Sequence, residues 1–247
     1  MSRTITPAFV FGSICAQLAG RSDLWHVVNG PKRETWFTAE TIAALSRSSS
    51  NALNQGLRVY GEESYAEMAL ILQEHQIPHL NPVPNEDKHR IPDVSILEAP
   101  SVTAASFTIA EAKLISPKST KDDDAMEMTS DLDDQLKALG TTAKADGLLD
   151  QLNRARRIVP NAQVIGLIFA VHRLSQCEDV SADAFFARLA GRMPTVFNGT
   201  DWQLWADGIA PVPNLQHVKP LSGMFCGEAS LGLGIVIAVR NKHKAPE

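Results

Sequence analysis

The sequence predicts an α/β (α+β) chain, a mixed central β-sheet with helices on both sides and a helical part at the N-terminus. Three observations predict it. Residues 163–173 (QVIGLIFAVHR) and 232–240 (GLGIVIAVR) are continuously apolar runs of strand length, as in strands covered on both faces. Residues 92–97 and 107–115 are short, rich in β-branched residues and bounded by Pro, Ser and Thr, which reads as two more strands. Around them lie segments of helical periodicity, so the order helix, strand, strand, helix, strand emerges.

Taken in order, residues 5–20 read as a mostly buried helix ended by Gly20. Residues 25–36 are turn-rich, with Asn29-Gly30-Pro31 as a breaker. Thr38 is a candidate N-cap for TAETIAALSRSS, and a second short helix is expected over SSNALNQGLRVY. This pair loosely resembles a helix-turn-helix unit with Asn51, Asn54 and Gln55 exposed, and ordinary helix packing is the competing reading. Residues 61–77 form a helix whose apolar stripe is Tyr65, Met68, Ala69 and Leu72, with Glu63 and Glu67 one turn apart. Residues 78–89 form a proline-rich loop, and its histidines lack the cysteines or spacing of a zinc site. Residues 131–158 are helical with breaks near Gly140 and Gly147, and their last part exposes Gln151, Arg154 and Arg157. Residues 181–192 form a helix with Ser181 as N-cap and Gly191 as terminator, and Trp202 to Trp205 lie in a turn-bounded segment. The last residues, 241–247, fray. The boundaries drawn are a helical region at 1–60, a candidate DNA-contacting subdomain, and a main domain at 61–240.

The two middle strands carry charge in unexpected places. Asp93 opens the first, and Glu111 and Lys113 interrupt the second on the face that also bears Phe107, Ile109 and Ile115. Charges among apolar neighbours are costly to bury unless compensated, so either the strand is a solvated edge or the charges serve a site. Asp93 and Glu111 are hard oxygen ligands of the kind Mg²⁺ accepts.

Pro92-Asp93 followed by Glu111-Ala112-Lys113 resembles the signature of the PD-(D/E)xK (restriction-endonuclease-like) nuclease superfamily. Gly61-Glu62-Glu63 with Ala66 is similar to that family's Gly-Glu-x-x-Ala helix start. The resemblance covers residues 61–173 and implies a restriction-endonuclease-like core and Mg²⁺, or Mn²⁺ as substitute, bound by Asp93 and Glu111. It also implies metal contact from the preceding helix, where Glu63 is favoured over Glu67. Lys113 would orient or deprotonate the attacking water, or stabilise the transition state. The products would be a 5′-phosphate and a 3′-hydroxyl. A helix after the Glu-x-Lys strand is expected to offer Gln151 or Arg154 to the phosphate, and Lys118 could reach it from the loop after that strand.

Composition bounds the rest. The chain has 247 residues, 44% hydrophobic, enough for a sizeable core without disulfides. Three distant cysteines without a CxxC argue for a reducing, cytoplasmic setting and against structural zinc. No signal peptide or membrane-spanning run is read. The net charge of −5 conceals local patterning. Residues 1–60 carry six basic against three acidic side chains, a balance of +3, and residues 151–173 hold four arginines and no acid. An acidic run occupies 122–134, read as a solvated helix start or lid. A local basic face matters more for phosphate binding than the whole-chain sum.

The expected function is therefore a metal-dependent DNA endonuclease of restriction, defence or DNA-processing type, with a homodimer favoured if both strands are cut. The alternatives are a non-catalytic nucleic-acid-binding or regulatory protein using residues 38–58, and an interaction protein with a coincidental motif.

Overall fold

The computed structural model describes residues 5–19, 33–49, 57–61, 63–75, 81–98, 106–116, 125–140, 147–173, 181–212 and 229–239. These hold six helices and six strands: α1 Pro7–Leu18, α2 Arg33–Ser49, β1 Leu57–Tyr60, α3 Tyr65–Glu74, β2 Val94–Glu98, β3 Ser106–Ile115, α4 Ala125–Gly140, α5 Leu148–Ile158, β4 Gln163–Arg173, α6 Ala182–Phe197, β5 Trp202–Pro211 and β6 Ala229–Ala238. The strands form one sheet in the order β1-β2-β3-β4-β6-β5. Only β3 and β4 run parallel, and α4 and α5 lie between them in the chain, as a parallel crossover requires. The mixed α/β architecture expected from the sequence is thus present.

Alternation along the strands splits the core in two. Phe107, Ile109, Ile115 and Ile168 face the layer of α3, α4, α5 and α6. Ala110, Ala112, Leu167 and Phe169 face α1 and α2, where Phe37 stacks on Phe169 at a centroid distance of 4.6 Å. Central β4 is buried on both faces, which explains its unbroken apolar run. At Gly166 an added Cβ would lie 3.0 Å from Val236 and 3.3 Å from both Leu148 and Leu152. The bare glycine lets α5 settle close to the sheet. Its register partner across the parallel pair is Glu111, so this close approach is beside the charged strand.

Several boundaries differ from the expected ones, each for a local reason. Helix α2 begins at Arg33, so Thr38 is interior and its hydroxyl donates to the Glu34 carbonyl at 3.2 Å instead of capping. The short helix expected to run through Tyr60 gives way to β1, whose Leu57–Tyr60 pair with Glu98–Ser95. The helix-turn-helix reading depends on Asn51, Asn54 and Gln55, which lie outside the described residues. Helix α6 has Ser181 as its cap, its hydroxyl accepting from Ala184 N at 3.2 Å, but runs past Gly191 to Phe197 because Met193 and Phe197 are buried in the core. Trp202 begins a ten-residue edge strand rather than a turn-bounded segment. The described parts of residues 1–60 pack with the rest: α1 and α2 cover one sheet face and β1 is a sheet edge, so a boundary at residue 60 would cut through one core. The acidic run extends into α4, which starts at Ala125. No helix among the described residues is long and apolar enough to cross a membrane.

Candidate functional site

The charged residues of β2 and β3 converge where the sheet is notched. Strand β2 pairs with β3 from Glu98↔Ser106 to Val94↔Ala110, and extending this register by one residue sets Asp93 opposite Glu111. There the ladder changes character. The Ala112 N–H donates to Asp93 Oδ2 at 2.7 Å, and the Asp93 N–H donates to Glu111 Oε2 at 3.4 Å. Two carboxylates thus take hydrogen bonds that main-chain carbonyls would otherwise accept, and this holds them side by side. Pro92 is buried directly before Asp93, and its locked φ fixes the approach of the chain.

Glu111 is 2% exposed. Burial, and next the neighbouring Asp93 carboxylate, push its carboxyl up from 4.5 to about 8. Asp93 is raised too, first by burial, while the Ala112 N–H and the Lys113 ammonium oppose the shift. Enclosure of Glu111 beside the partly buried Asp93 carboxylate thus favours a proton held by the pair.

Lys113 leaves β3 two residues beyond Glu111, past the start of β2. Its Nζ donates to Glu34 Oε1 at 2.8 Å, on the first turn of α2. The Glu34 carboxylate is 43% exposed, so this ion pair is weak and exchangeable. Lys113 still favours ionisation of both Asp93 and Glu111, and Glu34 disfavours that of Asp93, which places all four groups within electrostatic reach.

On the other side stands Tyr65. It is 1% exposed, opens α3, and donates its hydroxyl to Glu111 Oε1 at 3.2 Å. Burial first and the Glu111 charge next hold its own pKa well above the ordinary tyrosine value. The ring has the apolar body the stripe required, but the hydroxyl makes it part of the site. Tyr65→Phe removes the donor with no loss of ring volume. We expect about 1 kcal/mol to be lost in stability, which a thermal melt against the wild type checks.

The helix glutamates part company. Glu67 is exposed, and its Oε2 accepts from Ser64 N and Ser64 Oγ, each at 2.7 Å, completing a capping box for α3. The Ser64 bonds hold its carboxyl below the usual range. Its expected metal role gives way to this cap. Glu63 lies before the cap rather than on the helix face, so the two do not form a facing pair. Glu34, on a different helix, is the glutamate that stands by Lys113.

Of the expected substrate contacts, Lys118 lies outside the described residues. Gln151 lies on the α5 turn over Gly166, and its Oε1 is buried with no partner among the described residues. Arg154 is 10% exposed and engaged: Nε lies 3.1 Å from Asp87 Oδ1, and Nη2 lies 2.5 Å from Asp150 Oδ2. It acts electrostatically on Tyr65, but its guanidinium is bound to acids rather than open to phosphate.

The donor set suits a hard cation with few protein ligands. Mg²⁺ binds through one or two carboxylates and completes its shell with water or phosphate. The buried Glu111 and the partly buried Asp93, two carboxylates that repel one another, meet that need. Among the described residues there is no group of three or more His, Cys, Asp or Glu that could hold a metal ion. Sequence reasoning missed Tyr65, Glu34 and Asp87. Only Tyr65 left a signal, an aromatic residue at the start of the helix already linked to the site. Compared with family models, curated proteins and solved structures, the chain matches none.

Proposed function

We propose that the chain is a divalent-cation-dependent nuclease that hydrolyses DNA phosphodiester bonds, of the PD-(D/E)xK type that Pro92-Asp93 and Glu111-Ala112-Lys113 resemble. The observation that carries this reading is the Asp93–Glu111 pair, set side by side by the Asp93 N–H on Glu111 and the Ala112 N–H on Asp93, with Lys113 alongside. An acid pair with only a structural purpose gains nothing from mutual repulsion in a buried setting. A pair that exchanges its proton for a cation does.

Asp93 and Glu111 would hold Mg²⁺. When bound, the ion lowers the pKa of a water and offsets charge on the phosphate. Asp93 Oδ2 and Glu111 Oε2 are oriented by main-chain N–H groups, and Glu111 Oε1 by Tyr65, so the site is preorganised before substrate arrives. Lys113 exchanges Glu34 for a phosphate oxygen or the attacking water, which the exposure of Glu34 makes inexpensive. Glu34, once Lys113 exchanges it, would contact the ion through water, the task that the resemblance assigns to Glu63.

The test is supercoiled plasmid with Mg²⁺ or Mn²⁺, wild type against Asp93→Ala and Lys113→Ala. Wild type should nick, and each variant should fall by roughly 10²-fold or more. Equal nicking by all three would remove the proposal.

A further inference from the structure

The segment 81–91 is the connection that delivers Pro92-Asp93 to the sheet, and it is tied down at three points. At its start, Asn81 caps the C-terminal end of α5: its N–H donates to the Ile158 carbonyl at 3.3 Å and its side-chain amide to the Arg157 carbonyl at 2.7 Å. In its middle, Asp87 is 4% exposed and paired with Arg154 and Arg157. At its end, the carbonyls of Arg90 and Lys88 accept the Tyr65 and Ala66 N–H groups at 3.0 and 3.4 Å, satisfying amides of the first turn of α3. Turn bonds from Asp87 N to Pro84 O and from Arg90 N to Asp87 O, both 3.0 Å, close the segment on itself.

The consequence is a sorting of charge. The acid of the turn's centre is turned inward onto two arginines, while Lys88, His89, Arg90 and Ile91 all face solvent. Glu86 is the one exposed acid among residues 84–91. Arg157, 59% exposed on its side chain, adds a guanidinium beside Asp87. Ile91 is 55% exposed, one of few large aliphatic side chains so open among the described residues, and sits two residues before Asp93. The same Tyr65 that takes the Arg90 carbonyl on its N–H reaches Glu111 with its hydroxyl, so the turn abuts the carboxylate pair.

We propose that this turn is the docking rim for a nucleic-acid strand, with Lys88 against a backbone phosphate and Ile91 against a sugar or base beside the scissile position. The inference rests on the nuclease reading for its partner. A polyanion is the occupant that fits cationic side chains presented next to a hydrolytic carboxylate pair. An aliphatic side chain beside them suits the apolar sugar and base faces of the same strand. Because the turn is already held by α3, α5 and Asp87, binding requires little further ordering of the backbone.

The test uses Asp93→Asn as parent, to prevent cleavage, and the binding of a short fluorescent DNA duplex by anisotropy over a salt series. Lys88→Ala and Ile91→Ala are made in that parent, with Lys137→Ala, an exposed lysine on the last turn of α4, as comparison. Thermal melts should be unchanged in all, since the side chains are exposed. Lys88→Ala should weaken binding severalfold and reduce the slope of log affinity against log salt by about one. Ile91→Ala should weaken binding with the slope preserved. Parental affinity and slope in both turn variants, or equal losses in Lys137→Ala, would overturn the docking rim while the nuclease reading stood on wild-type nicking. A parent that binds no DNA even at low salt would overturn the rim, and the absence of wild-type nicking beside it would overturn the nuclease reading as well. Turn-dependent binding by a protein that never cleaves would keep the rim and remove the nuclease.

Discussion

Glu111→Gln should abolish cation-dependent nicking, by roughly 10³-fold or more, while making the cation-free protein more stable at alkaline pH. The two effects have one origin. Glu111 is fully enclosed, and it faces a second carboxylate. The amide keeps the shape and can still accept the Tyr65 hydroxyl on its oxygen. It cannot carry the negative charge a cation needs, and it ends the repulsion with Asp93. Removing a buried charge that faces a like charge removes both its desolvation cost and the repulsion, so the cation-free variant should melt higher than the wild type at alkaline pH. Plasmid nicking in Mg²⁺ and thermal melts in chelator at pH 8.5 read the two outcomes. A variant that nicks at the wild-type rate would exclude Glu111 from the chemistry. A variant that is inactive and also much less stable would make Glu111 a structural acid instead.

The second large effect is the pH dependence of stability without cation. The folded Glu111 carboxyl titrates at about 8 against 4.5 ordinarily, so between these values the folded state binds more protons than the unfolded one. Stability must then fall as pH rises through this window, by at most about 5 kcal/mol for the shift of this one group. Asp93 is shifted in the same direction and adds to the trend. On the proposed reading a divalent cation takes the place of the proton, so the stabilisation by Mg²⁺ should be small near pH 5.5 and grow towards pH 8.5. Melting temperatures at several pH values, with chelator and with Mg²⁺, give two curves that diverge upward in pH. In Glu111→Gln the chelator curve should flatten. Parallel curves for the wild type would mean that the pair does not exchange its proton for a cation.

Much of the fold was legible because hydrophobic periodicity reports burial directly. The unbroken run of β4 announced a strand covered on both faces, and alternation around Glu111 placed it on the same face as Phe107, Ile109 and Ile115. Ser181 capped its helix as its position suggested. The misreadings arose where tertiary packing overrode a local signal. Gly191 did not end α6 because the burial of Met193 and Phe197 outweighs the local cost of a glycine. Thr38 did not start α2 because the helix extends a turn and more ahead of it.

The site was legible only in its linear part. Asp93, Glu111 and Lys113 are close in sequence, lie on adjacent strands and follow a rule of alternation that the chain itself displays. By itself the sequence determined the four inner strands, the charged strand among them and its hard-ligand character, because these depend on residue type and on a period of two, while the two edge strands β1 and β5 escaped it. Only the tertiary structure decided which distant groups join them. It brought Tyr65 onto Glu111, set Glu34 rather than Glu67 beside the catalytic lysine candidate, and turned Asp87 inward onto two arginines. Each of those contacts spans elements whose relative placement is fixed by packing of the whole core, and no local pattern of residues encodes it.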